Sequence, residues 1–333
     1  AMTGIGDFRV SHLMFAEDLT LLSNFVKDLQ KMLDKLRGYA ESKHLIINTS
    51  KSEVVHFNSR GEQPKLKVGG TVLQCKDSFK YLGMMFYKTL NMERSSEHVN
   101  GAVMAASGRI HQFVSDYDLE SSLQPILWLG KMYLVPAAMY GSQVWGTAFV
   151  RQGQEFVSAL QVRHLAFLKR TLGVKRTTCN WSLLRECGHL PLQFNWFKSV
   201  VKMYNSMLEC NSTTVRKVLQ ADVKMHPRAA KCWTAQMLDG FHGLHRCDVF
   251  VSAVRNGVPI KLQDFTDNLR LRIRDVWGTA NDVGSRSSVS LYEAFFGIPF
   301  DKDVHAPVWL PHYMSQDHSK HVMASSKLPL RCP

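Results

Sequence analysis

The sequence predicts an α+β fold: a small N-terminal sheet region with one amphipathic helix and hairpins, then a larger, mostly helical part. Two observations carry this. Short apolar segments, some alternating at period two and some joined by turn residues, crowd the first 90 residues. From about residue 95 onward apolar residues recur at helical spacing instead. Strands first and helices after is the order of an α+β chain.

Taken in order, residues 8–15 place apolar side chains at Phe8, Val10 and Met14, with His12 interrupting, and predict a strand. Residues 19–22 predict its returning partner, with Ala16 and Glu17 at the turn. Tight hairpins favour Asn-Gly or Gly-X because φ must be positive, and neither is present. A charged tip without glycine marks a position to examine for function. Ser23 or Asn24 can cap the next helix. Leu29, Met32, Leu33, Leu36 and Ala40 form its apolar face, and Lys27, Lys31 and Lys35 face outward. Residues 45–48 and 53–57 predict short strands around a polar loop at 49–52. Residues 66–68 and 71–73 flank Gly69-Gly70, a two-residue hairpin signal, and 79–86 predict another strand. Helices are predicted over 101–114, over 123–135 with a stop before Pro136, over 155–172 with Gly173 just beyond as C′, and over 192–208. Shorter helices follow over 215–219, 234–241, 248–256 and 262–276. After 278 Ser, Gly and Pro cluster and no element is predicted. The expected parts are 1–90, 91–210 and 211–333.

Composition narrows the function classes. Hydrophobic residues at 45% and charged residues at 21% exclude a disordered or low-complexity chain. Forty-one Lys and Arg against 28 Asp and Glu give +13, which favours a polyanionic partner such as nucleic acid. No apolar run reaches the ~18 residues of a membrane span. Residues 128–140 come nearest and are broken by Gly130, Lys131 and Pro136. The N-terminus has no apolar signal segment. Seven cysteines without a C-x-x-C indicate neither a disulfide framework nor a zinc knuckle. An intracellular setting, nuclear or cytoplasmic, is expected. There is no P-loop, no Rossmann glycine pattern and no supportable Ser-His-Asp arrangement.

The sharpest feature is Phe15-Ala16-Glu17-Asp18 between two apolar segments. Paired carboxylates at a hairpin tip are the ligand type of two-metal phosphoryl transfer. Taken alone, such a pair is usually just a solvated turn. A second feature is cationic. Arg163, Lys169, Arg170, Lys175 and Arg176 lie between residues 156 and 184 with no acidic residue among them. Arg163 and Arg170 fall within ~20° on a helix, opposite Leu165, Leu168 and Leu172. That face suits phosphate contact. The alternative is that Lys169 and Arg170 complement the helix dipole before Gly173. Trp128, Trp145, Trp181, Trp196 and Trp233 sit among apolar residues and read as core rather than as base-stacking platforms.

Residues 10–57 resemble the palm of the reverse transcriptases of non-LTR (LINE-type) retrotransposons. Phe15-Ala16-Glu17-Asp18-Leu19, the helix from Leu29 to Ala40, Leu45-Ile46-Ile47-Asn48, Lys51-Ser52 and Val54-Val55-His56-Phe57 follow the family's order and spacing. Phe79-Lys80-Tyr81-Leu82-Gly83 resembles the hairpin that grips the primer end. Leu184-Arg185-Glu186-Cys187-Gly188-His189-Leu190-Pro191-Leu192 resembles a helix-turn-helix found after the polymerase domain. The resemblance implies an RNA-directed DNA polymerase acting with Mg²⁺ or Mn²⁺ on an RNA–DNA template–primer. It implies that Glu17 and Asp18 are metal ligands, that Lys51 donates a proton to the departing pyrophosphate, and that Tyr81, Leu82 and Gly83 position the primer. A helical thumb following the palm would hold the duplex.

Two departures shape the expectation. Glu17 stands where the family has aspartate, and a shift of ~1 Å in a catalytic group can cost ~100-fold. The family's other metal-binding aspartate and its fingers lie further upstream than this hairpin allows. The chain is therefore expected to hold template–primer but to be inactive alone, with the upstream half of the polymerase as a partner and a sheet edge left open for it. The alternative is a non-catalytic nucleic-acid-binding module derived from a retroelement.

Overall fold

The computed structural model describes residues 3–5, 8–58, 61–119, 122–225 and 232–282. The fold class is α+β. β1 (Thr3–Ile5) pairs antiparallel with β2 (Phe8–Val10), and β3 (His12–Phe15) with β4 (Asp18–Leu21). The strand expected over 8–15 is thus divided at Ser11, whose carbonyl accepts from the Leu22 amide at 2.8 Å and extends the second ladder. α1 (Val26–Ser42) follows. β5 (Glu53–Val54) lies far along the chain from its parallel partner β8 (Gln74–Cys75), and between them β6 (Lys67–Val68) and β7 (Thr71–Val72) form the expected Gly69-Gly70 hairpin. Leu29 and Leu33 of α1 pack on a small core of Val54, Leu66, Val68 and Leu73. The Gln30 side chain accepts from the Lys67 amide at 2.9 Å and donates to its carbonyl at 2.8 Å, which fixes α1 against β6.

Further strand expectations differ from the structure. The strand expected over 53–57 is only β5, Glu53–Val54. Residues 45–48 form no ladder, and Ile46 is 94% exposed. Asn48 instead organises a turn. Its side chain accepts from the Ser50 hydroxyl (2.7 Å) and the Lys51 amide (3.1 Å), and its carbonyl accepts from the Ser52 hydroxyl (2.8 Å). Asn side chains compete with ladders in this way. Residues 79–86 form not one strand but a hairpin, β9 (Ser78–Tyr81) and β10 (Met84–Tyr87). Leu82 (φ 46°) and Gly83 (φ 78°) are both left-handed, the requirement of a two-residue type I′ turn.

The helical part begins with α2 (Met92–Asp116), earlier than the apolar periodicity indicated, because Asn91 caps it by accepting from the Arg94 amide at 3.1 Å. α3 (Leu123–Leu129) runs into a π-turn at Gly130–Leu134 and on into α4 (Val135–Met139). The expected stop before Pro136 does not occur. Pro136 lies at the start of α4, directly after the widened turn, where a missing N–H is tolerated. α5 (Ser142–Trp145), a 3₁₀ turn and α6 (Ala159–Thr171) lead to α7 (Asn180–Glu186) and α8 (Leu192–Glu209). α9 (Thr213–Met225), α10 (Trp233–Phe241), α11 (Cys247–Arg255) and α12 (Leu262–Asp282) complete the described chain. α6 ends as Gly173 predicts: the Gly173 amide reaches Arg170 O and the Val174 amide reaches Lys169 O, a Schellman closure.

Two cores meet at α8. Val103, Leu134, Trp145, Leu168 and Trp196 belong to one. Phe197, Tyr204, Phe241 and Phe265 belong to the other. Trp196 and Phe197 are consecutive, about 100° apart on the helix, so adjoining faces of α8 serve the two cores.

Candidate functional site

The β3–β4 hairpin presents Glu17 and Asp18 at its tip. Phe15 pairs with Asp18, leaving Ala16 and Glu17 as the two turn residues. Ala16 has φ 49°, a left-handed conformation that alanine rarely adopts. Backbone strain, a feature found at functional sites as well as in turns, is thus placed beside the two carboxylates. Both acidic side chains are exposed. So are Leu13, Met14 and Phe15, at 43%, 67% and 60%. The hairpin therefore offers an uncovered apolar surface together with its charges. The donor chemistry of Glu17 and Asp18, hard carboxylate oxygen, fits Mg²⁺ or Mn²⁺. The number does not: among the described residues no group of three His, Cys, Asp or Glu forms a metal cluster.

Lys51 is exposed in the Asn48 turn, with its backbone set by the Asn48 side chain. No hydrogen bond or ion pair joins Lys51 to Glu17 or Asp18 among the described residues. The structure orders the Lys51 backbone but does not bring the three side chains into contact.

The Tyr81-Leu82-Gly83 turn is placed firmly. Phe79 stacks on Phe86 across the hairpin (centroids 5.4 Å) and meets Phe57 edge-on (6.0 Å). The Arg94 guanidinium lies 4.3 Å from the Tyr87 ring centroid. The Tyr140 hydroxyl donates to Leu82 O at 2.6 Å. Between this hairpin and the α4–α5 corner runs an apolar groove of about 760 Å³, lined by Tyr81, Leu82, Phe86, Pro136, Met139 and Tyr140. Sequence reasoning passed over Tyr140. The Gly after it, at φ 70°, was the signal of a turn there.

The five cations do not form one class. Arg163, Arg170, Lys175 and Arg176 are exposed. Lys169 is half-buried, and its ammonium donates to Arg176 O (2.7 Å) and Asn180 Oδ1 (2.8 Å). Burial pushes its pKa down. Lys169 thus staples the 173–180 loop to α6, while the other four face solvent. Leu165, Leu168 and Leu172 are buried on the opposite side, as the periodicity predicted.

The helix-turn-helix is present as α7 and α8, joined through Gly188 at φ 61°. Its second helix is not a free reading helix, because Leu192, Gln193, Phe194, Trp196 and Phe197 are all buried. Trp145 and Trp196 are core residues as expected, 0% and 1% exposed, but Trp128 is 56% exposed. Beneath α6 lies a pair that the sequence did not single out. His164 Nε2 sits 2.9 Å from His189 Nδ1, and both rings are buried. Burial lowers His164 to about 4. Burial, and then the charges of His164 and Lys131, push His189 down as well.

Comparison with known proteins shows that the chain carries a region similar to LINE-type reverse transcriptase. The chain is 28% identical over 121 residues to an RNA-directed DNA polymerase from the mobile element jockey of Drosophila melanogaster, covering 36% of this chain and 13% of that protein. It is 23% identical over 239 residues to the jockey RNA-directed DNA polymerase of Drosophila funebris, covering 69% of this chain and 25% of that protein. The matched region thus spans a quarter or less of these curated relatives. No protein-family model and no solved structure matches the chain. Among the described residues, no helix is long and apolar enough to cross a membrane.

Proposed function

We propose that this chain is the part of a retrotransposon RNA-directed DNA polymerase that holds the RNA–DNA template–primer duplex. The observation that carries the reading is the set of four exposed cations, Arg163, Arg170, Lys175 and Arg176, on the helical part that follows the palm-like segment. Such a set contacts phosphates by position and charge, independent of base sequence. The Tyr81–Gly83 turn, held on that same helical part by Tyr140, would then lie along the primer end.

The reading extends to the metal site as a proposal. Glu17 and Asp18 would supply two of the ligands for Mg²⁺ or Mn²⁺, which when bound would activate the attacking oxygen and stabilise the leaving one. A third carboxylate from elsewhere in the polymerase completes such a set, so the isolated chain is proposed to be inactive in primer extension and to gain activity only with that upstream half. Lys51 would serve the departing pyrophosphate.

The test is binding of a labelled RNA–DNA duplex by the chain and by a variant with Arg163, Arg170, Lys175 and Arg176 all changed to Gln. The variant is expected to lose most of its affinity at low salt and little of its stability, since exposed substitutions typically cost about 0.5 kcal/mol or less. Equal binding by both proteins refutes the reading.

A further inference from the structure

We infer that Tyr140 is a positioning residue that sets the height and tilt of the Tyr81–Gly83 turn, coupling the primer end to the helical core. The inference rests on the reading of that turn as primer-positioning and adds the residue that controls it.

The β9–β10 hairpin is a two-stranded sheet with no third strand beside it among the described residues. Apart from the Asn58 amide, which donates to Lys88 O at 2.8 Å at the end away from the turn, its orientation is set by side-chain contacts. At the turn, those contacts form a reciprocal lock. The Tyr140 hydroxyl donates to Leu82 O at 2.6 Å. A Cβ on Gly83 would lie 2.5 Å from that hydroxyl, so the close approach needs glycine. On the other side, a Cβ on Gly141 would lie 2.8 Å from Met84 Sδ. Each turn thus inserts a side chain into a gap left by the other turn's glycine. Both glycines are also left-handed, at 78° and 70°, which no ordinary side chain favours.

Tyr140 is itself rigidly held. Its carbonyl accepts from Trp145 Nε1 at 2.9 Å, and Trp145 is fully buried against Trp196, with ring centroids 5.0 Å apart. Trp196 Nε1 donates to Ala138 O at 2.9 Å, which ties the end of α4 to α8. A continuous path of contacts therefore runs from α8 through Trp196, Trp145 and Tyr140 to Leu82. Yet the Tyr140 side chain is 53% exposed. An exposed ring that contributes little to the core, but whose one polar atom reaches a turn carbonyl, is placed to orient that turn rather than to hold up the fold.

The experiment uses the full chain bound to an RNA–DNA duplex with 2-aminopurine at the primer 3′ end, and a second duplex with the probe well inside. Tyr140→Phe removes only the hydroxyl. Time-resolved anisotropy is expected to show the fast motion of the terminal probe rising roughly two- to tenfold, the range one lost hydrogen bond sets, with the internal probe and affinity unchanged and the melting temperature lowered by no more than a few degrees. Gly83→Ala, which displaces the same hydroxyl from the other side, is expected to loosen the terminal probe in the same way. If the terminal probe behaves identically in all three proteins, while the unaltered chain binds the duplex, the inference is overturned and the proposed function stands. If the unaltered chain fails to bind, the proposed function falls and this inference falls with it.

Discussion

Lys169 and Arg170 are adjacent in sequence, and the fold uses them differently. Lys169 donates to a carbonyl and an amide oxygen of the following loop, whereas Arg170 projects into solvent from the outer face of α6. Lys169→Met is therefore expected to cost about 1–3 kcal/mol of stability through two lost charge-assisted bonds, and to leave the salt dependence of duplex binding as it was. Arg170→Gln is expected to leave stability unchanged and to reduce the log–log salt slope by about one. Thermal melting beside a salt titration separates the two. Both proposed origins of this basic pair, phosphate contact and helix-end stabilisation, were visible in the sequence. What was not visible was their division between two neighbours, because it depends on where Asn180 returns. The same holds at Ala16. The sequence shows that Ala16-Glu17 is poor turn chemistry, and the structure answers with a strained alanine at φ 49° rather than with a longer loop.

At the scale of elements, the helices were legible and the irregular joints were not. α6, α8, α10 and α11 lie within a few residues of their apolar patterns, because each buries apolar residues at helical spacing, α8 over a face broad enough to serve both cores. The 123–139 segment defeated the proline rule because a π-turn absorbs Pro136, and nothing in local periodicity announces such a turn. The 79–86 hairpin hid because its turn uses Leu82 in a left-handed conformation beside Gly83, where Asn or Asp is the usual sign. The α6–α8 unit carries its own test. His164 and His189 are buried and neutral beneath α6. A histidine held near pKa 4 in the fold but at 6.5 when unfolded favours the folded state fully above pH 6.5. That contribution is lost as pH falls from 6.5 toward 4, and on His164 alone it is worth about 3 kcal/mol. Urea unfolding at pH 7.5, 6.0 and 5.0 is expected to show stability falling across this window. A flat profile would mean that the pair accepts protons in place.

At the scale of the whole molecule, α8 and a buried ion pair made by α12 tie distant segments together. Arg272 of α12 donates to Glu155 Oε1 at 2.9 Å and to Val150 O at 3.2 Å, and is 1% exposed. Gln193 of α8 closes the same knot by donating to Arg151 O at 2.7 Å and to Phe149 O. Sequence reading could not pair residues so far apart in the chain. Arg272→Ala leaves Glu155 charged and buried and is expected to cost about 3–5 kcal/mol, readable in a chemical melt. These bonds tie α12 and α8 to the segment 149–155 that leads into α6, the helix that carries Arg163 and Arg170.

The most direct test of the proposed function is the salt dependence of RNA–DNA duplex binding, followed by anisotropy from low to physiological salt. Four phosphates neutralised by Arg163, Arg170, Lys175 and Arg176 predict a log–log slope of about −3 to −4. A slope near zero, or no binding even at low salt, would contradict it and leave the +13 charge without a phosphate-binding role.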